Sequence, residues 1–147
     1  MSAKDYTITL TVDAPVSEVF QHINNVPAWW TENLKGSSVK LNDEFEVRFG
    51  EVHYSKHKLV EGTPDQKVVW LTTDSKLTFV EDEHEWTGTK VSFELSVADN
   101  KTNVHFTHFG LIPTVLCYKG CTQGWDYYIK GSLFKLITEG KGTPELK

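Results

Sequence analysis

Arginine is nearly missing from this chain of 147 residues. Arg48 is the only one, set among scattered lysines and 20 acidic residues that leave a formal net charge of −5. Nucleic-acid binding needs a basic face that displaces counterions from phosphates, with Arg as the usual reader of base edges. Neither is supplied, so no nucleic acid is expected as a partner. Long apolar runs are absent as well. No stretch approaches the roughly 18 apolar residues of a membrane helix, and no membrane span is expected. The opening Met1-Ser2-Ala3-Lys4-Asp5 runs straight into strand-like alternation and leaves no room for a signal peptide, which gives a cytoplasmic expectation. Cysteine is scarce, with Cys117 and Cys121 alone. Four apart on a helix they share a face, and a bridge inside a continuous helix would strain the Cβ geometry. Two apolar core thiols are therefore expected.

What is present is a globular composition, 39% hydrophobic and 24% charged, of a length that suits one domain. Residues 5–12 alternate, with Tyr6, Ile8, Leu10 and Val12 on one side and threonines on the other, which predicts a half-buried strand. Asp13-Ala14-Pro15 stops it. Val16, Val19, Phe20 and Ile23 have helical spacing behind Pro15, and Pro27 opens a second short helix carrying Trp29 and Trp30. From about 37 to 109 the period is two: Phe45, Val47 and Phe49; His53, Ser55, His57 and Leu59; Val68, Trp70 and Thr72, then Leu77 and Phe79; Val91, Phe93, Leu95 and Val97; Val104, Phe106 and His108. Asp99-Asn100 reads as a hairpin turn, and such short connections make an antiparallel meander. The acidic run Glu81–Glu85 reads as a solvent-facing turn. A helical period returns from about 115 to 138, and Gly140 supplies the left-handed residue that ends it. A long helix with one apolar face must bury it against a curved sheet, and the gap beside the two short helices is where a cavity would form.

Val12-Asp13-Ala14-Pro15, Val19-Phe20 and Trp29-Trp30 resemble the opening of the START-like, or SRPBCC, superfamily. Val68-Val69-Trp70, Glu85-Trp86-Thr87-Gly88-Thr89, Gly110-Leu111-Ile112-Pro113, Cys117-Tyr118, Cys121, Trp125, Tyr128-Ile129, Ser132-Leu133 and Gly140-Lys141-Gly142-Thr143-Pro144 resemble the homologues of the activator of heat-shock protein 90 ATPase. The resemblance spans essentially the whole chain. It implies an α+β helix-grip fold: an antiparallel sheet of about seven strands wrapped around a long C-terminal α-helix, with two short helices after the first strand. It also implies two kinds of partner, a lipid-like or aromatic small molecule held in a hydrophobic cavity, or a chaperone. Relatives in the superfamily include cyclisation enzymes.

Catalytic and metal chemistry are hard to find in the residues themselves. His53 and His57 share a strand face but lie about 13 Å apart, and His105 and His108 point to opposite faces. Cys117, Cys121 and His108 together supply only three of the four ligands a closed zinc site needs. No Gly-x-Ser-x-Gly elbow occurs, and Gly140-Lys141-Gly142-Thr143 follows a helix where a phosphate loop would precede one. No cofactor is expected. The aromatics carry more. Trp70, Phe79, Phe93, Phe106, Trp125 and Tyr128 fall on inward positions and would line the space between sheet and helix. Trp30 and Ile129 complete the expected cavity wall, and His57, His108 or Tyr128 would orient a ligand. Plain core packing accounts for most such residues, and an inward His108 needs a hydrogen-bond partner. Adjacent Trp29 and Trp30 on one short helix cannot both face the core, so one is expected to edge the cavity mouth or form a contact patch. A non-catalytic, cavity-binding domain is the resulting expectation, with chaperone regulation and polyketide-cyclase-like catalysis as alternatives.

Overall fold

The computed structural model describes residues 5–146, so the leaderless start expected over residues 1–4 lies outside the described residues. Seven antiparallel strands form one sheet: β1 (Tyr6–Val12), β2 (Leu34–Gly36), β3 (Glu44–Phe49), β4 (His53–Thr63), β5 (Lys67–Leu77), β6 (Lys90–Ala98) and β7 (Lys101–Phe109), in the order β1-β7-β6-β5-β4-β3-β2. The β6–β7 hairpin turns at Asp99 and Asn100, both left-handed, with φ of +53° and +64°. Two successive residues of that hand match the strands' twist, and Asx side chains tolerate it.

Helix α1 (Val16–Asn24) buries Val19 and Ile23. The second short helix does not form. Its place is taken by a single 3-10 turn, Val26–Ala28, with Pro27 in its first turn; it ends there because Trp29 leaves the helical region at φ −131°. β2 went unseen in the sequence because three residues are too few to show alternation. Its Gly36 sits at φ +103°, where a Cβ would run into the Glu44 carbonyl. Leu77 ends β5, so Phe79 lies beyond the strand and is 49% exposed.

The C-terminal helix runs over 118–139, starting three residues later than its period predicts, and Gly140 ends it at φ +83°. Its middle, Asp126–Leu133, is π-helical. That change of pitch suits the sequence. Cys121, Trp125, Ile129, Leu133 and Ile137 are all buried at strict four-residue spacing. On an α-helix such a row drifts about 40° per step, and turns closed by i→i+5 bonds hold more residues and take the drift back. The row therefore stays on the sheet.

The helix is tied down from both ends. Tyr6 donates its hydroxyl to Asp126 across the sheet edge. Buried Ser132 donates to the Trp29 carbonyl at 2.6 Å and accepts the Thr143 N–H at 2.7 Å. Ser132→Ala leaves a buried carbonyl and a part-buried N–H without a partner. Such orphans cost about 1–3 kcal/mol each, so urea unfolding is expected to show a loss of about 2–6 kcal/mol. Unchanged stability would show that the two groups find other partners.

An aromatic cleft as the candidate functional site

All five tryptophans are involved in one interior stack. The Trp30 ring lies 5.0 Å from Trp125, 5.7 Å from Trp70, 6.1 Å from Trp29 and 6.5 Å from Trp86, tilted by 22° or less from each. Trp86 and Trp125 stack at 5.7 Å and 10°. Trp29 and Trp30 are both buried, at 0% and 3%, against the expectation that one edges a cavity mouth exposed to solvent. They follow a single turn and are not on a helix, so no 100° rotation separates them. The Trp29 indole N–H donates to the Ile23 carbonyl at 3.1 Å.

Three histidines lie in this interior, each neutral. Burial pushes His53 and His108 down to about 3 and holds His57 well below the ordinary value, with small further contributions from the other rings. His108 has the partners its inward position demands. The Trp125 indole N–H donates to its Nδ1 at 3.0 Å, which fixes the remaining proton on Nε2, 2.9 Å from Thr89 Oγ1, and Thr89 in turn donates to the Trp86 carbonyl at 2.6 Å. Thr89 thereby also fixes the turn that carries Trp86 inward, closed by Gly88 at φ +88°.

The other two rings converge on one hydroxyl. Ser55 Oγ is 2.9 Å from His53 Nε2 and 2.8 Å from His57 Nε2, and Thr72 Oγ1 is 3.1 Å from His57 Nδ1. The strand spacing that keeps their backbones apart holds, but the rings lean together over Ser55 and share it. Read one way the chain of bonds leaves His53 Nδ1 a bare acceptor, and read in reverse it leaves a donor there.

Of the residues expected to form a cavity, Trp30, His57, Trp70, Phe93, Phe106, His108, Trp125 and Ile129 are all buried together between sheet and helix. Six of them are solid packing. Only Trp30, Trp125, Tyr128 and Phe79 reach the open space that remains, a cleft of about 140 Å³ at the start of the C-terminal helix. Phe49, His53, Trp86, Gly120, Cys121 and Gly124 complete its wall. His53 has the same strand parity as His57, which was the available signal for it. Trp86 follows the acidic run in an aperiodic loop, which offered none. No charged side chain lines the cleft. Tyr128 is half-buried, and burial, with the negative charge of Glu145, pushes its hydroxyl up to about 12.

Cys117 and Cys121 are joined as a disulfide, their Cα atoms 5.6 Å apart, and are not the free thiols expected. The strain argument assumed a helix already running at 115. Cys117 instead caps the helix from outside, at ψ +1°, so its side chain is free of the helical spacing. Glu85 is not merely part of a solvated turn either. Its carboxylate accepts the Leu116 and Cys117 backbone N–H groups at 2.6 and 3.0 Å. Among the described residues no three His, Cys, Asp or Glu side chains are grouped to hold a metal ion.

The neutral histidines make acid stability a direct readout of this interior. In the unfolded chain each ring takes up a proton near pH 6.5, and in the fold His53 and His108 do so only near pH 3. Stability is then full above pH 6.5 and falls as the pH drops, by about 1.4 kcal/mol per pH unit for each ring, until the folded rings titrate. Urea unfolding at pH 7 and pH 5 is expected to show several kcal/mol less stability at pH 5. Equal values would mean the rings are not held neutral.

No family model matches the chain, and no curated protein matches its sequence. Solved structures do match in fold. The Aha1 dimer from Colwellia psychrerythraea aligns with a TM-score of 0.76 and 23% identity, over 95% of this chain and 99% of that one. SSP2350 from Staphylococcus saprophyticus aligns at 0.71 and 14%, over 97% and 98%. DynU16, from the dynemicin biosynthetic locus, aligns at 0.67 and 15% over 96% of this chain, which spans 50% of that one. With one long helix gripped by seven antiparallel strands, and with those neighbours, the chain has the helix-grip fold.

Proposed function

We propose that this domain binds a small apolar molecule in the cleft between the sheet and the first turns of the C-terminal helix, without transforming it. The observation that supports this is the cleft's wall: six aromatic rings, two glycines, Cys121 and one neutral histidine around about 140 Å³ that the close-packed interior leaves open. That volume is well below the 300–1,000 Å³ of typical drug-sized pockets, and close to the roughly 150 Å³ of an engineered apolar cavity known to take benzene. It narrows the expectation of a lipid-like or aromatic ligand to one whose buried part is ring-sized. A cyclase-like reaction is less well supported. His53 is the one titratable group of the wall lacking a carboxylate partner, and with its pKa near 3 it is a poor base at neutral pH.

The second reading is engagement of a chaperone of the heat-shock protein 90 class, favoured by the near full-length fold likeness to the Colwellia protein. The two readings separate in the test tube, because chaperone engagement predicts stimulated ATPase turnover irrespective of the cleft.

Gly124→Leu tests the first reading. A Cβ at Gly124 meets no atom within 4 Å, so the side chain can enter the cleft without displacing its neighbours. Replacing a helical glycine also stabilises by up to about 1 kcal/mol. The variant is expected to fold at least as well as the parent and to lose binding of small neutral aromatics by tenfold or more, followed by cross-peak shifts in 15N-labelled protein. Binding that survives the substitution would place the ligand elsewhere.

A further inference from the structure

The polar atoms around the cleft narrow the ligand further, on the footing that the cleft binds one. The Trp125 indole N–H is engaged by His108 and His53 Nε2 by Ser55, and the Tyr128 hydroxyl lies under the influence of the Glu145 carboxylate. Two others are not engaged. The Trp30 indole N–H and His53 Nδ1 make no hydrogen bond among the described residues, and neither is among the sealed polar atoms, which are Asn24 Oδ1, Trp70 Nε1, Trp86 Nε1 and Ser92 Oγ. Both residues belong to the cleft wall, their rings set edge to face at 6.2 Å and 75°. An indole N–H only donates. The His53 nitrogen accepts or donates according to the direction of its bonds through Ser55 to His57 and Thr72.

We propose that the cleft takes a neutral, single-ring phenol whose hydroxyl bridges the Trp30 indole N–H and His53 Nδ1. A hydroxyl accepts and donates at once, and so satisfies both atoms. The volume admits one ring. An anion would meet no cation there, only neutral donors in a largely aromatic wall. A quaternary ammonium needs open ring faces, but Trp30 and Trp125 lie face to face, and Trp86 and Trp125 likewise. Offered a phenol, the Ser55 chain settles in the direction that leaves His53 Nδ1 accepting, with every hydrogen bond in it kept.

The test is titration of 15N-labelled protein with p-cresol, toluene, 4-methylbenzoate, phenyltrimethylammonium and 2-octanone, with Trp30→Phe used to identify the Trp30 indole cross-peak. p-Cresol is expected to bind about tenfold tighter than toluene, the worth of one to two net hydrogen bonds. The Trp30 indole proton is expected to move downfield with p-cresol and to stay with toluene. In His53→Phe, which keeps a ring in place, the two ligands are expected to bind within about twofold of each other. If that variant does not fold, the indole shift in the parent protein still decides. Stronger binding of toluene, the carboxylate, the ammonium or the ketone at the cleft would overturn the phenol while leaving a ligand-binding cleft. No movement of cleft cross-peaks with any of the five would overturn the cleft reading itself.

Discussion

The Trp30 indole is enclosed by other rings: Trp125 at 5.0 Å, Phe49 at 5.3 Å, His57 at 5.5 Å, Trp70 at 5.7 Å and Trp29 at 6.1 Å. A side chain of that size is worth several kcal/mol when covered, and each covering ring comes from a different part of the chain. Phe49 and His57 arrive from neighbouring strands, Trp70 from the middle of the sheet, Trp86 from the loop after it and Trp125 from the C-terminal helix. Stacking on Trp30 therefore fixes how far the helix sits above the sheet. It also accounts for the turn before it, because the carbonyl of Trp29 accepts from Ser132 of that helix.

Close packing of this kind sets the terms for the polar groups trapped in it. Three imidazoles stay neutral because no carboxylate reaches them and burial penalises the charge. Hydroxyls from Ser55, Thr72 and Thr89 supply what water would have supplied. Two indole N–H groups, on Trp70 and Trp86, find nothing. Each such orphan costs about 1–3 kcal/mol, a price accepted because both rings are needed as flat surfaces against Trp30. The interior thus gives up hydrogen bonds to keep its stack.

Much of this was legible in the residues. Period-two segments placed six of the seven strands, Asp99-Asn100 placed a hairpin, and Gly140 placed the end of the long helix. The four-residue row from Cys121 to Ile137 was visible as apolar positions, but nothing in it announced a π-helical middle, since an α-helix with a drifting stripe uses the same residues. The cleft was harder. Its position depends on which inward aromatics pack solidly and which stop short, and that is decided by side chains from loops with no period, Trp86 above all. The disulfide was misjudged for a definite reason. Pro113 and the turn after it delay the helix to Tyr118, and only then is Cys117 free to reach Cys121.

Why the interior stops short at one place can be traced to the first two turns of the C-terminal helix. Gly120 and Gly124 each stand one position before Cys121 and Trp125, at the edge of the buried face, and line the cleft without adding a side chain to it. A helix free to move would settle inward and close the gap, since burying more of Phe49 and Tyr128 is favourable. It is not free. Glu85 holds the Leu116 and Cys117 backbone, the Cys117–Cys121 bridge ties the cap to the first turn, and Tyr6 and Ser132 fix the rest of the rod. Between those anchors Trp125 already rests on Trp30, so the glycine-bearing turn cannot come closer without driving one indole into the other. The space beside it is consequently set by the stack and its anchors, and only a molecule small enough to stand in for two missing side chains can fill it.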